Sequence, residues 1–174
     1  VMAKLFSTIL YMRIQDLVED KLAEEQYGFR KGRGCTDAVH VLRMVVEKSA
    51  EWGEHLFLAQ LDVEKAFDRV HHEDLFKALL GCGAGVRMVS TLMSFYRDLQ
   101  AKVFLWDGVE SKSFAVQRGV RQGDPLSTLL FNLVLNDVLE EVRAIWERRG
   151  YGTEVGENIR KCRLTHVAFA DDCT

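Results

Sequence analysis

The chain has 174 residues, enough for one compact domain. A chain of this length buries roughly 70% of the surface its unfolded form exposes, so it needs no disulfide or metal staple. Hydrophobic residues make up 48% and charged residues 28%, and no apolar run approaches the ~20 residues of a membrane span. The net charge of −3 counts against a uniformly basic nucleic-acid binder. Positive charge is nevertheless clustered, at Arg30, Lys31 and Arg33, at Arg118 and Arg121, at Arg148 and Arg149, and at Arg160, Lys161 and Arg163.

Residues 2–22 place Met2, Leu5, Phe6, Ile9, Leu10, Ile14, Leu17 and Val18 at helical spacing. The segment from Val1 to Asp20 is amphipathic and charged, unlike a signal peptide. Because residue 1 is not Met, the chain is expected to be an excerpt of a longer protein. A loop punctuated by Gly28, Gly32 and Gly34 follows. Thr36 is the expected N-cap of a second helix carrying Val39, Leu42, Val45, Val46 and Trp52. Leu56 to Val63 is an apolar run, expected to be a buried strand that ends at Asp62.

Residues 72–80 and 86–97 have the spacing of two further helices, separated by Gly81, Gly83 and Gly85. Residues 101–106 and 109–116 alternate around Asp107-Gly108, a two-residue hairpin signal. Asp124-Pro125 supplies an N-cap and a proline at the first helical position. The helix behind it should bury Leu126, Leu129, Leu130, Leu133, Val134, Val138, Val142 and Ile145, and Gly150 should stop it. A strand from Arg163 to Phe169 then enters a turn at Asp171-Asp172, where the sequence ends partway through the expected hairpin. Mixed strands and helices with an antiparallel hairpin predict the α+β class, a small antiparallel sheet packed on helices.

Three features carry chemistry. Asp62 ends an otherwise apolar strand, and a carboxylate is costly to bury there without a cation or other partner. Asp171 and Asp172 are adjacent carboxylates at a turn, which repel each other unless a cation lies between them. Nucleotidyl transfer needs such hard oxygen ligands for paired Mg²⁺ ions about 3.5–4 Å apart. The third feature is Arg118-Gly119-Val120-Arg121-Gln122-Gly123-Asp124-Pro125-Leu126-Ser127, a glycine-rich loop opening a helix, where phosphate and sugar groups can approach backbone N–H groups. Separately each feature also fits a capped helix or a surface turn.

The blocks QYGFRKGRGCTDAV, LDVEKAFDRV, RGVRQGDPLS and FADD, in that order, resemble the reverse transcriptases. The wording is most similar to the non-LTR, LINE-type retrotransposon branch, and the likeness runs from about residue 2 to residue 174. The resemblance implies an RNA-directed DNA polymerase of right-hand architecture. Residues 1–55 would be mainly fingers and 56–174 mainly palm, with the thumb and any endonuclease domain outside the sequence.

It implies two Mg²⁺ ions, with Mn²⁺ as the alternative, held by Asp62, the Val63 carbonyl, Asp171 and Asp172. Phe67 would be the gate against a ribose 2′-OH, and Gln122 and Gly123 would border the incoming nucleotide, with Pro125 shaping that loop. Arg30 and Lys4 would reach nucleotide phosphates, Arg118 and Arg121 would contact nucleic acid, and Asn132 could help fix the nucleotide pocket. His71 and His72 are expected to be solvated caps. Implied partners are an RNA template, a DNA primer and dNTPs, with no membrane. The cysteines at 35, 82, 162 and 173 form no C-x-x-C pair, which argues against zinc and for reduced thiols in an intracellular protein. Nuclear action follows only from the element class. A degenerate retroelement copy without activity, and a group II intron maturase-type or telomerase-type enzyme, remain open as alternatives.

Overall fold

The structure is a computed structural model that describes residues 2–155 and 162–174. The predicted charges at Arg160 and Lys161 lie outside the described residues. Among the described residues, six helices and three short antiparallel strand pairs make an α+β fold, as the mixed periodicities predict. The helices are α1 (Met2–Glu19), α2 (Cys35–Trp52), α3 (Ala66–Arg69), α4 (His72–Gly81), α5 (Val86–Tyr96) and α6 (Pro125–Arg148). The strands are β1 (Gln100–Ala101), β2 (Phe114–Ala115), β3 (Thr153–Val155), β4 (Cys162–Leu164), β5 (Ala168–Phe169) and β6 (Asp172–Cys173).

Helix α6 is the axis of the molecule, packed against α1 and α4. Leu126, Leu130 and Leu133 are fully buried on it and meet Leu10, Ile14 and Val18 of α1 and Leu75 and Leu79 of α4 in one core. Asp124 starts the helix as expected, its Oδ1 accepting from the Leu126 N–H at 3.1 Å. Ser7 of α1 also donates to this carboxylate, so the cap joins two helices. The buried face differs from the apolar stripe: Ser127, Asn132 and Asn136 are inside, whereas Val138 and Ile145 are exposed. Two of these polar side chains face the 23–28 loop, where Asn136 Oδ1 accepts from Ala23 N–H at 2.7 Å and Asn132 Nδ2 donates to Gly28 O at 2.6 Å.

Three local expectations change. Gly34, not Thr36, is the N-cap of α2, because the Asp37 carboxylate folds back to accept the Gly34 N–H at 2.7 Å. The run 56–63 is not a buried strand: only Leu61 pairs, with Cys173, and Phe57 and Leu58 are exposed. Among the described residues no other member of the run pairs, and Leu56, Phe57, Leu58 and Ala59 line a groove of about 500 Å³ with Trp146, Tyr151 and His166. The long strand expected over 163–169 is broken into β4 and β5, which pair with different partners, β3 and β6. No helix among the described residues is long and apolar enough to cross a membrane.

Candidate active site

Strands β5 and β6 close a tight hairpin with Ala168 opposite Cys173 and Phe169 opposite Asp172. The final strand therefore has its partner, and Val167 and Thr174 extend the pairing by exchanging hydrogen bonds of 2.8 and 2.9 Å. The turn is Ala170-Asp171 rather than Asp171-Asp172, which places Asp172 in β6. Ala170 has φ +56°, a left-handed conformation that glycine usually supplies at the first loop residue of such a turn.

On the far edge of β6, Leu61 and Cys173 exchange backbone hydrogen bonds of 2.7 and 3.2 Å. Asp62 follows Leu61 directly and Asp172 precedes Cys173 directly, so this single antiparallel bridge brings the two carboxylate-bearing segments side by side. Residues 112 apart in sequence (173 − 61 = 112) are thus paired in backbone. Asp62 and Asp172 are exposed and Asp171 is half-buried. Among the described residues, none of the three carboxylates is engaged in a hydrogen bond or ion pair.

In donor chemistry this set fits a hard divalent cation. Mg²⁺ is commonly held by one or two carboxylates together with substrate phosphates and water, so the protein need not close a cage alone. Among the described residues, no group of three or more His, Cys, Asp or Glu side chains is already gathered as a metal cage. The structure thus supplies the backbone adjacency of the carboxylates but not a preformed ligand sphere. The free thiols Cys35, Cys82 and Cys173 are exposed, half-buried and buried respectively.

The glycine-rich loop is sewn to the segment that follows Asp62. Gly119 N–H donates to Val70 O at 2.8 Å and Val120 N–H to Phe67 O at 2.9 Å. Gly119, at φ +90°, lies so close that a Cβ there would sit 3.0 Å from the Asp68 backbone. Phe67 is stacked on Phe131 with ring centroids 4.3 Å apart, and the edge of Phe29 meets it at 6.4 Å. Gln122 is exposed beside Gly123, whose φ of +79° turns the chain into the Asp124 cap. Arg118 is exposed, and the exposed Arg121 lies 5.4 Å over the Phe95 ring. Lys4 is exposed one helical turn before Ser7, which reaches Asp124.

Other expected site residues are turned elsewhere. The Arg30 side chain is 5% exposed, bonded to Glu19 at 2.7 Å and to the carbonyls of Ala23 and Gln26. It braces the loop in this conformation rather than offering its guanidinium to solvent. His72 is not a solvated cap: its ring packs 4.9 Å from Tyr96 and its Nε2 lies 2.9 Å from Gly119 O, helping to hold the glycine loop. His71 does occupy the N-cap of α4, without a side-chain capping bond.

The residue that sequence reasoning passed over is Gln26. It is 3% exposed, and its Oε1 accepts the N–H groups of Gly28 at 2.8 Å and Ala170 at 3.0 Å. The residue before it, Glu25, and the one after it, Tyr27, bond to both sides of Ala168, which makes this loop the parallel neighbour of β5. The only sequence signal was a polar residue heading the GFR block.

A reverse transcriptase (RNA-dependent DNA polymerase) family model matches residues 1–174, and the chain belongs to that family. Within it, the chain is similar to Pol polyproteins of R2 retrotransposable elements. It is 33% identical over 147 residues to the R2DM protein of Drosophila melanogaster, covering 84% of this chain and 13% of that protein. It is 30% identical over 169 residues to an R2 protein of Popillia japonica, covering 97% and 22%. With an R2 protein of Nasonia vitripennis the identity is 32% over 171 residues, covering 96% and 15%. The chain thus spans less than a quarter of the length of these curated relatives.

Proposed function

We propose that this chain is the catalytic core of an RNA-directed DNA polymerase that adds dNTPs to a primer 3′-OH, copying an RNA template during retrotransposition. The observation that carries the proposal is the Leu61–Cys173 pairing, which brings Asp62 beside the Asp171–Asp172 hairpin. Three acceptor-only side chains without protein partners, on adjacent backbone, suit divalent cations better than they suit a structural role.

In this reading Asp62, the Val63 carbonyl, Asp171 and Asp172 hold two Mg²⁺ ions, with Mn²⁺ as a substitute. The bound ions supply the Lewis acidity that activates the primer hydroxyl and stabilises the departing pyrophosphate. Gln122 and Gly123 border the nucleotide, and the Phe67 ring, locked by Phe131, limits space at its sugar. Arg118, Arg121 and Lys4 supply exposed positive charge for nucleic-acid and nucleotide phosphates. In the same reading residues 1–55 are mainly fingers and 56–174 mainly palm.

The test is primer extension on an RNA template by the full-length polypeptide, with Asp62→Ala and Asp171→Ala. Each variant should lose roughly a thousandfold or more in rate while keeping its melting temperature, about 4 kcal/mol of transition-state stabilisation. Extension by either variant at close to the unsubstituted rate refutes the assignment.

A further inference from the structure

The Ala170–Asp171 turn is held from behind by a chain of contacts that starts on α6 and passes through the 26–28 loop. Gln26 meets the Ala170 peptide from both sides: its Oε1 accepts the Ala170 N–H at 3.0 Å, and its Nε2 donates to Ala170 O at 3.4 Å. The same Oε1 accepts Gly28 N–H at 2.8 Å, and Gly28 O accepts from Asn132 Nδ2 of α6 at 2.6 Å. Gln26 and Asn132 are almost wholly buried, at 3% and 1% exposure.

Gly28 itself has no left-handed φ, so its backbone conformation does not call for glycine. What calls for it is proximity: a Cβ at this position would lie 2.2 Å from Ala170 N and 2.9 Å from Ala170 Cα. No side chain fits between the loop and the turn. The clamp is applied to the one residue of the hairpin whose φ of +56° is unfavourable for a residue with a Cβ. A strained turn persists only where its surroundings over-determine it, and here the next residue is Asp171.

We infer that Gln26, Gly28 and Asn132 are positioning residues for the catalytic carboxylates, holding Ala170 left-handed so that Asp171 and Asp172 present their oxygens to the metal ions. None of the three touches metal or substrate in this scheme; they act through the turn. The inference rests on the reading of Asp171 and Asp172 as metal ligands. Groups behind the ligands of a metal site commonly alter metal affinity or activity by ~10–100-fold when removed.

The experiment measures single-nucleotide incorporation by the full-length polypeptide as a function of Mg²⁺ concentration, with melting temperature recorded for each variant. Gln26→Ala should lower the maximal rate and raise the Mg²⁺ concentration for half-maximal rate by ~10-fold or more. Gln26→Glu keeps an acceptor for both N–H groups and should recover a substantial part of that loss. Gly28→Ala should give the same metal phenotype by pushing the turn out of place.

Leu79→Ala, in the fully buried core of α4, controls for lost stability. It should lower the melting temperature without moving the Mg²⁺ requirement. If Leu79→Ala shifts the Mg²⁺ requirement as far as Gln26→Ala does, or if Gln26→Ala leaves that requirement unchanged, the positioning role is overturned. Should Gly28→Ala fail to fold, the Gln26 pair still decides. Asp171→Ala separates the two claims: if it abolishes incorporation while Gln26→Ala has no metal phenotype, the carboxylate assignment stands and only the brace falls.

Discussion

Under the proposed function, Phe67 would add a selective role to the structural one that its packing shows. Its ring is half-buried, stacked on Phe131 and touched by the edge of Phe29, while its carbonyl holds the glycine loop through Val120. Packing fixes the ring, and a fixed ring can exclude a 2′-hydroxyl by volume alone. Phe67→Val should therefore raise the ratio of ribonucleotide to deoxyribonucleotide incorporation, and also cost about 1–3 kcal/mol of stability through the lost stacking. The readout is the incorporation ratio beside a denaturant melt. A destabilised variant with an unchanged ratio would leave Phe67 as a core aromatic only. Arg30 marks the opposite case, a cation whose neighbours already absorb its donors and make it a brace.

At the scale of elements, the start of α6 does the most joining. Asp124 accepts from Leu126 N–H within its own helix and from Ser7 on α1, and it is 9% exposed. Helix caps are worth ~1 kcal/mol, and a buried acceptor that also satisfies a buried hydroxyl is worth more. Asp124→Ala should lower stability by about 2–3 kcal/mol, read from the urea midpoint, because Ser7 loses its partner together with the cap. Asp124→Asn keeps an oxygen acceptor and should lose much less. A loss below about 0.5 kcal/mol for Asp124→Ala, the range of an ordinary surface substitution, would show that neither bond matters.

For the molecule as a whole, pH tests how the far end of α6 is packed. His166 is 4% exposed, with its ring 6.1 Å from Trp146. Burial holds its pKa below the ordinary imidazole value, Arg143 pushes the same way, and Glu25 and Glu140 oppose. The folded state therefore refuses a proton that the unfolded chain accepts. Stability from this group is fully present above about pH 6.5, and it falls as pH drops from there to the depressed folded value, by at most ~1.4 kcal/mol per pH unit. His166→Gln should flatten that part of the profile. Urea melts at pH 7 and pH 5 measure it: a drop equal in both proteins would mean that His166 is protonated without penalty in the fold.

Local signals in the sequence reached the five longer helices, the Asp124 cap, the reversal of the chain at Asp107-Gly108 (though its strands are only 100–101 and 114–115, with a bridge at Phe104–Glu110) and the α+β class, because each depends on neighbours within a few positions. The order of the four blocks also pointed to the reverse transcriptase family, which the family match bears out. Helical periodicity could not tell that Asn132 and Asn136, rather than Val138, would face inward on α6, since loop 23–28 supplies their partners. Apolar character made 56–63 look like a buried strand, but pairing needs a distant partner, and among the described residues of the run only Leu61 has one, Cys173. Gln26 likewise bonds to a residue 144 positions away, which no local signal could show. Sequence alone named the chemical groups. Tertiary structure decided which backbone they share, because long-range strand pairing and buried polar contacts are set by what the rest of the chain leaves unsatisfied.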